Sequence, residues 1–428
     1  MHSSHRKNRK KKQQLTVSVK NIIFGFILIS GFYLKAQSIA HANIDYGFVN
    51  DKENYIHFYD KDANFDVFYK KLHTLLTAKK GKVKVLQIGG SHIQAEIWPD
   101  QVRMNFLDLT DSINGGRGFV FPFKMAKIWN PKNHQISYTG NWEFFRNSVK
   151  KHNEKWGVSG ITVKTTDSIS SFQIGYQHDS LTNYSFNKIK IFHDLDSTGF
   201  KLRLISDEPV KIIENKELGF TEFFLENKND SLSVEIKKTS KSQTHFSLYG
   251  LSLENDDPGI IYTSIGVNGA KTSSFLRNEM FVEQLKVIEP DLVVFCIGIN
   301  DAYYANFCRD CYKENYEKLM GQFRSVNPNV KFLFVTNNDS YYKRKYANKR
   351  VFVAREAMID LAKKHKAGLW DLFEVMGGLN SIKIWEESGY AKEDKIHFTD
   401  KGYQLIGDLM FRALMDDYDK YLKGKNEN

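Results

Sequence analysis

A serine and an Asp-x-x-His pair are the residues of this 428-residue chain whose types and spacing could do chemistry together. Ser91 follows the aliphatic run 83–88 and two glycines, which is how a parallel strand presents a nucleophile at its carboxyl end. Asp394 stands three residues before His397, so one loop could supply a base and the carboxylate that orients it. Taken alone, such a pair is more often structural. Together with the serine it indicates nucleophilic acyl transfer.

Two further strand ends could stabilise negative charge on an oxygen. Asn300 follows the apolar run 291–297, where its amide NH2 could face a developing oxyanion. Gly269 lies in a turn after the apolar run 260–265, where its backbone N–H could serve the same oxygen. Each strand end alone could be an ordinary turn. With the serine and the Asp-His loop, they describe the rim of one active site.

These four segments, in this order, resemble the SGNH/GDSL hydrolases. The resemblance covers roughly residues 80–130 and 258–420. The residues that carry it are Ser91, Gly269, the Gly-x-Asn-Asp stretch 298–301, Asp394 and His397.

The resemblance implies a role for each of these residues. Ser91 would be the nucleophile, and His397 would be the base held by Asp394. The implied oxyanion hole consists of the N–H of Ser91, the N–H of Gly269 and the side-chain amide of Asn300.

One position departs from the family pattern. The family usually has Gly-Asp-Ser at its nucleophile, and Gly90 stands here in place of the aspartate. That carboxylate normally helps to brace the loops around the serine, so its absence would weaken the site or shift the bracing to another loop. Asp301 is expected to brace its own segment by hydrogen bonds and not to be catalytic.

Two stretches near the serine resemble a subgroup of the family, which includes the bacterial peptidoglycan O-acetylesterases. They are His-Ile-Gln at 92–94 and the glycine-rich stretch 115–122, whose glycines we interpret as turn formers, because no Gly-Lys-Ser/Thr follows that would cradle a phosphate. His92 competes for the role of base because it adjoins the serine. A side chain next along the backbone usually points away, so His92 is predicted to contact substrate or a loop.

The amino terminus has the layout of a secretory signal peptide. Six lysines and arginines between residues 6 and 12 precede a mostly apolar run from 22 to 34, and small residues follow. This run is shorter than the roughly 18 to 20 apolar residues that span a bilayer. We predict a signal peptide over 1–37, with an uncleaved anchor as the alternative, and a periplasmic or secreted protein that meets a membrane only through an uncleaved signal.

The basic charge belongs mostly to this segment. Residues 1–37 contain eight lysines and arginines and no acidic residue, so about +3 of the formal net charge of +11 remains after them. Nucleic-acid binding thereby loses its main support, and no nucleic-acid partner is expected.

The chain contains three cysteines. Cys296 lies in an apolar strand and is interpreted as a core residue, whereas Cys308 and Cys311 could form a small disulfide in an oxidising compartment. Three cysteines without a histidine cluster do not form a zinc site. No metal and no cofactor are expected, since a serine activated by its partners needs none.

The predicted fold is α/β, an SGNH-type three-layer structure with a parallel sheet, because apolar strands alternate with helical stretches in the last third of the chain. From about 131 to 258, short segments with period-two alternation indicate an inserted antiparallel β-sandwich, jelly-roll-like. The predicted organisation is a signal peptide at 1–37, the hydrolase domain at 38–130 and 259–428, and the insert at 131–258.

The insert has two interpretations. It could bind glycan, with Trp142, Phe144 and Phe145 as a sugar platform, or it could be a rigid wall with these aromatic residues in its core. The expected function of the whole chain is a secreted serine esterase that removes O-acetyl groups from a cell-envelope polysaccharide, with peptidoglycan favoured. The alternatives are a polysaccharide O-acetyltransferase on the same triad and a non-catalytic glycan-binding protein. An acetylated polysaccharide is the expected partner.

Overall fold

The computed structural model describes residues 46–110, 113–176 and 184–426. All of them fall within one structural unit, Asp45–Asn428. The predicted signal peptide, residues 1–37, lies outside the described residues and stays a prediction.

The strands of the described residues are numbered here in chain order. They are β1 Ile56–His57, β2 Lys82–Gly89, β3 Gly116–Val120, β4 His134–Thr139, β5 Glu143–Arg146, β6 Ile161–Thr165, β7 Ile169–Tyr176, β8 Phe186–His193, β9 Lys201–Ile205, β10 Lys211–Asn215, β11 Phe220–Asn229, β12 Ser231–Lys237, β13 Phe246–Glu254, β14 Gly259–Gly266, β15 Leu292–Cys296, β16 Lys331–Val335, β17 Tyr341–Tyr342, β18 Tyr346–Ala347 and β19 Gly368–Trp370.

The helices are cited by their residues. They are Asp66–Ala78, Ser91–Gln94, Ile97–Leu107, Thr272–Phe275, Phe281–Ile288, Ile299–Tyr303, Arg309–Val326, Arg350–His365, Leu372–Val375, Ser381–Glu387 and Asp400–Asn426, with short 3₁₀ helices at Asp51–Glu53 and Phe123–Ala126.

A parallel sheet carries the strand ends that form the candidate site. Its order is β14-β2-β15-β16-β19, and β1 adds an antiparallel edge beside β19. Residues 292–295 of β15 are all buried, as expected of a strand covered on both faces, which explains an apolar run without alternation. The chain leaves β2 for β14 on one side and then crosses to β15 on the other. The crevice that such a sheet offers to ligands lies past the carboxyl ends of β2 and β15.

Helices pack on both faces of this sheet. On one face, Ile97–Leu107 packs along Asp400–Asn426. On the other, Arg309–Val326 packs against Arg350–His365. The parallel sheet between two helical layers agrees with the predicted SGNH-type α/β fold.

Between residues 116 and 254 the chain forms two antiparallel sheets. One has the order β10-β11-β8-β13-β6-β5, with β3 also paired to β13, and the other has the order β4-β7-β12-β9. In β12 the side chains of Leu232, Val234 and Ile236 are buried, whereas Ser233 and Glu235 between them are partly exposed. One buried and one solvated face explain the period-two alternation from which antiparallel strands were predicted.

Strand β3 lies before the predicted insert, yet it pairs with β13 at the end of that insert. It also lies against β14 of the parallel sheet, where a Cβ atom built on Gly118 would come within 2.5 Å of Cγ2 of Ile261. The antiparallel part is therefore packed directly on the edge of the parallel sheet.

Cys308 and Cys311 form a disulfide at the start of the helix Arg309–Val326, the pair that the sequence suggested. Their Cα atoms are 5.3 Å apart. Cys296 has a free thiol at the end of β15, where burial raises its pKa to about 12. No helix of the described residues has both the length and the apolar composition that crossing a membrane requires.

Candidate active site

Ser91 is the first residue of a short helix that begins directly after β2. The backbone N–H of Gln94 donates to the carbonyl oxygen of Gly90 at 3.0 Å, so the chain turns sharply at the strand end. The side-chain oxygen of Gln94 accepts a hydrogen bond from the backbone N–H of Asn268 at 2.7 Å. The serine helix is thereby fixed to the turn that follows β14.

Ser91, His397 and Asp394 form a continuous chain of hydrogen bonds. The hydroxyl oxygen of Ser91 lies 2.8 Å from Nε2 of His397, and Nδ1 of His397 lies 2.7 Å from a carboxylate oxygen of Asp394. When Nδ1–H donates to the carboxylate, Nε2 is left as the acceptor that faces the serine hydroxyl. The structure thus brings together the three side chains that the sequence predicted to be nucleophile, base and orienter.

The carboxylate of Asp394 is held in its charged form. Partial burial opposes ionisation, but hydrogen bonds from the His397 side chain and from the backbone N–H groups of His397 and Ile396 outweigh it and lower the pKa of Asp394 well below its ordinary value. Both backbone bonds measure 2.9 Å. A fixed negative charge can therefore orient the imidazole and stabilise its protonated form.

A polar segment after β16 supports the loop that carries Asp394 and His397. The side-chain amide of Asn338 donates to the carbonyl oxygen of Ile396 at 3.1 Å. The backbone N–H of Tyr341 donates to the carbonyl oxygen of Lys395 at 2.9 Å. Asn338 is buried. Sequence reasoning missed this support, although the run Thr-Asn-Asn-Asp-Ser at 336–340 follows an apolar strand, as the other site segments do.

Asn300 and Gly269 lie beside the serine loop. The side-chain nitrogen of Asn300 donates to the carbonyl oxygen of Ala270 at 3.0 Å, and it would lie 3.1 Å from a Cβ atom built on Gly90. An amide NH2 has two hydrogens, so this bond leaves a second donor. Gly269 has a φ of +75°, a conformation that favours glycine. Their role in an oxyanion hole stays a prediction.

Asp301 braces its segment, in agreement with the expectation that it is not a triad member. Its carboxylate accepts from the hydroxyl of Thr272 at 2.8 Å and from the backbone N–H of Thr272 at 3.1 Å. Burial raises the pKa of Asp301 to about 6, against the opposing effect of these hydrogen bonds.

His92 is buried, with only 5% of its surface exposed. Its Nδ1 lies 2.8 Å from the hydroxyl of Tyr403, and its ring lies behind that of His397 with the centroids 5.1 Å apart. Burial lowers the pKa of His92 to about 3, so the ring is neutral at physiological pH. This placement corresponds to the loop contact that the sequence left open, because a side chain so little exposed offers almost no area to a substrate.

A buried cluster of charges follows the serine helix. The carboxylate of Glu96 contacts the guanidinium groups of Arg103 and Arg117 and accepts a hydrogen bond from Ser264 at 2.8 Å. Burial opposes its ionisation, but the two guanidinium groups outweigh it and lower the pKa of Glu96 to about 2. Arg117, in the glycine-rich stretch 115–122, thus ties that stretch to the serine segment, a role that the sequence did not reveal.

An open cavity of about 250 Å³ lies over the triad. Ser91, Asp394 and His397 line it, together with Asn268 and Trp129. Gly269 and Asn300 are not among its lining residues. Trp129 is 55% exposed and was not singled out from the sequence.

The three aromatic residues proposed as a sugar platform do not line this cavity. Trp142 is buried, and its ring N–H donates to the carbonyl oxygen of Thr139 at 2.9 Å. Phe144 packs against the hydrophobic core, and the ring of Phe145 contacts that of His152. Their packing corresponds to the second interpretation, in which these residues are structural.

The arrangement can perform acyl transfer with side chains alone. A serine hydroxyl bonded to an oriented imidazole is an activated nucleophile, and the open cavity admits an ester carbonyl to it. Within residues 46–110, 113–176 and 184–426, no group of three or more His, Cys, Asp or Glu side chains is placed to hold a metal ion.

Comparisons with known proteins agree with this geometry. The model of the GDSL-like lipase/acylhydrolase family matches residues 235–405, which include Gly269, Asn300, Asp394 and His397 but not Ser91. No curated protein matches.

Three solved structures are similar to this chain to different extents. The structure of a peptidoglycan O-acetylesterase is 19% identical and has a TM-score of 0.67, over 85% of this chain and 99% of that one. A lipase/acylhydrolase from Enterococcus faecalis is 20% identical with a TM-score of 0.29, over 38% of this chain and 77% of that one. A carbohydrate esterase of family 3 from Talaromyces cellulolyticus is 18% identical with a TM-score of 0.30, over 37% and 73%.

The first of these likenesses shows a shared fold, which extends over nearly all of the acetylesterase. Together with the family match, it confirms that this chain resembles the SGNH/GDSL hydrolases, and its likeness to a peptidoglycan O-acetylesterase is one of fold.

Proposed function

We propose that this protein is a serine esterase that removes O-acetyl groups from a cell-envelope polysaccharide, with peptidoglycan as the favoured polymer. The observation that carries the proposal is the hydrogen-bonded chain Ser91–His397–Asp394 at the wall of an open cavity. The likeness in fold to a peptidoglycan O-acetylesterase supports the choice of substrate.

The reaction would proceed in two acyl transfers. The hydroxyl oxygen of Ser91 attacks the acetyl carbonyl while Nε2 of His397 takes the hydroxyl proton. The N–H groups of Ser91 and Gly269 and the amide of Asn300 stabilise the oxyanion. The bond to the sugar oxygen then breaks, His397 returns the proton to that oxygen, and the acetyl group stays on Ser91. Water, deprotonated by His397, releases acetate and restores the serine.

Localisation and domain organisation belong to the same proposal. Residues 1–37 would direct the chain to the periplasm or the exterior, where acetylated envelope polysaccharide is found. The antiparallel part at 131–258 would form a jelly-roll-like sandwich that holds the polymer beside the serine.

The test is acetate release from p-nitrophenyl acetate and from O-acetylated peptidoglycan by the purified protein. Ser91→Ala and His397→Ala should both abolish release from both substrates. Ser325→Ala is the matched control, because Ser325 is exposed on a helix and its hydroxyl bonds only to the carbonyl oxygen of Gln322. It should behave as the wild type.

The alternatives predict different results. Release from the small ester alone would keep the esterase and exclude peptidoglycan as the polymer. An added acceptor sugar that lowers free acetate per donor consumed would indicate a transferase. No release from either substrate, with glycan binding retained in Ser91→Ala, would indicate a binding protein.

A further inference from the structure

A second cavity of about 430 Å³ adjoins the cavity over the triad. The two cavities share four lining residues, Ala95, Ile97, Trp129 and Asp400, so they form one continuous depression that begins at Ser91. Both volumes are in the range of small-ligand sites or somewhat below it. The second cavity is called the side groove below.

Trp129 stands where the two cavities meet. It is 55% exposed, whereas none of the other five tryptophans exceeds 4%. A large aromatic side chain that is exposed at the wall of a cavity keeps its apolar face available for a ligand. The mechanism proposed above assigns no task to this residue.

The rest of the side groove is polar, with the charged side chains of Glu96, Asp100, Asp108 and Lys132 beside four side-chain amides. The amides belong to Gln101, Asn105, Asn133 and Gln404. The nitrogens of Gln101 and Asn105 both donate to one carboxylate oxygen of Asp408 at 2.8 Å, so these two amides are held in place before any ligand arrives. Preorganised polar groups beside an apolar surface recognise ligands that combine hydroxyl groups with an apolar face.

We propose that the side groove binds the sugar ring next to the acetylated one in the same polysaccharide strand, with Trp129 stacked on the apolar face of that ring. This inference rests on the proposed function, because the serine must act on a sugar for its neighbour to reach the groove. A pyranose ring has C–H groups on its faces and hydroxyls at its rim, which matches one aromatic wall and several amides. A fatty acyl chain does not match, because it would remove the polar groups of this groove from water and offer them no hydrogen bond in return.

The proposal predicts that the groove matters for a polymer and not for a small ester. The quantity to measure is the ratio of kcat/KM on soluble O-acetylated glycan strands to kcat/KM on p-nitrophenyl acetate. We expect Trp129→Ala to lower this ratio at least about tenfold, mainly through KM, and Gln404→Ala, which alters the groove without touching the triad cavity, to lower it about threefold. Tyr346→Ala is the control, because Tyr346 is 65% exposed and lines neither cavity, and it should leave the ratio unchanged. A ratio that both Trp129→Ala and Gln404→Ala leave unchanged would overturn the proposal.

A binding measurement separates this proposal from the esterase itself. Glycan strands freed of their O-acetyl groups by mild base are titrated into Ser91→Ala, and tryptophan fluorescence is recorded. Because the other tryptophans are buried, a change of fluorescence on binding reports on Trp129 and should vanish in Ser91→Ala/Trp129→Ala. Glycan binding without acetate release by the wild type would support the proposed role of the side groove and refute the proposed esterase activity. Acetate release from acetylated strands, with no fluorescence change on titration, would support the esterase activity and refute the proposed role of the side groove.

Discussion

Thr272 and Asp301 link the segments that follow β14 and β15. Both the hydroxyl and the backbone N–H of Thr272 donate to the Asp301 carboxylate. A second link joins the same segments, from the Asn300 amide to the carbonyl oxygen of Ala270. The loops around the serine are therefore braced without a carboxylate at position 90, which agrees with the shift of bracing that the sequence raised as a possibility.

The first prediction concerns Gly90. A Cβ atom at this position would lie 3.1 Å from the Asn300 nitrogen, which is tighter than ordinary packing. We expect Gly90→Ala to displace the amide and to lower kcat on p-nitrophenyl acetate about three- to thirtyfold, since small misplacements of catalytic groups are costly. Gly321→Ala makes the same chemical change on a helix with no atom within 4 Å and should leave kcat unaltered. An unchanged kcat in Gly90→Ala would contradict the prediction, because the Asn300 amide would then either stay in place or take no part in the step.

The second prediction concerns the triad as a unit. Ser91→Ala and His397→Ala should each lower kcat at least about a thousandfold, and the double variant should be no slower than the slower single one. The reason is that each substitution already disables the same step. If the losses multiplied, the two side chains would act independently and the proposed transfer of the proton from Ser91 to His397 would be wrong.

The third prediction concerns the pH dependence of stability at Asp394. The pKa of Asp394 is lowered in the folded state. The stability that its charged carboxylate contributes is therefore complete above the ordinary pKa near 4 and is lost as the pH falls from there toward the lowered value. Compared with Asp394→Asn, the wild type should be more stable to urea by roughly 1–2 kcal/mol at pH 7, a difference limited by the partial exposure of the carboxyl group. The difference should shrink below pH 4. A difference that stays constant from pH 7 to pH 3 would contradict the assignment.

The fourth prediction concerns His92 and Tyr403, the buried pair behind His397. His92→Ala should lower the free energy of unfolding by about 2–4 kcal/mol, because it removes a buried ring and leaves a cavity. Tyr403→Phe should cost about 1 kcal/mol, because it removes one hydrogen bond and keeps the ring. In both variants the acid limb of the kcat/KM profile should keep the apparent pKa of the wild type, since His92 is neutral there. A loss of that limb in His92→Ala would make His92 a base in its own right.

The fifth prediction concerns the buried charge of Glu96. Glu96→Gln leaves the guanidinium groups of Arg103 and Arg117 buried without their shared partner, which should lower the free energy of unfolding by about 3–5 kcal/mol. Glu235→Gln is the control, because Glu235 pairs with an exposed Arg203 and such pairs contribute little. Equal effects in thermal unfolding would show that the Glu96 cluster is solvated.

The sequence predicted those parts of the site that lie at the ends of apolar strands. Ser91 and Asn300 could be predicted because a strand that is buried on both faces has a mostly apolar sequence, so a polar residue directly after it stands out. Asp394 and His397 were found because three residues of separation bring both to one loop. The parallel sheet and the antiparallel strands followed from the same two patterns.

Other parts could not be read in this way. Trp142 and Trp129 are both tryptophans with polar neighbours in the sequence. Only the tertiary packing decides that Trp142 is buried and Trp129 is exposed. Glu96 and Arg117 are separated by many residues and meet only after folding. The polar run 336–340 directly follows an apolar strand, as the other site segments do. Its support of the loop that carries Asp394 and His397 could therefore have been predicted.

The pairing of β3 with β13 has a consequence for the modularity of this protein. β3 lies ahead of the antiparallel part and rests on β14, while β13 closes that part and leads within a few residues into β14. Excision of 131–258 would strip β3 of its partner and expose the flank of the strand that leads to Gly269. The parallel-sheet part and the antiparallel part therefore cannot be exchanged independently. Replacing the antiparallel part by that of a relative should preserve function only when β3 and β13 are replaced together.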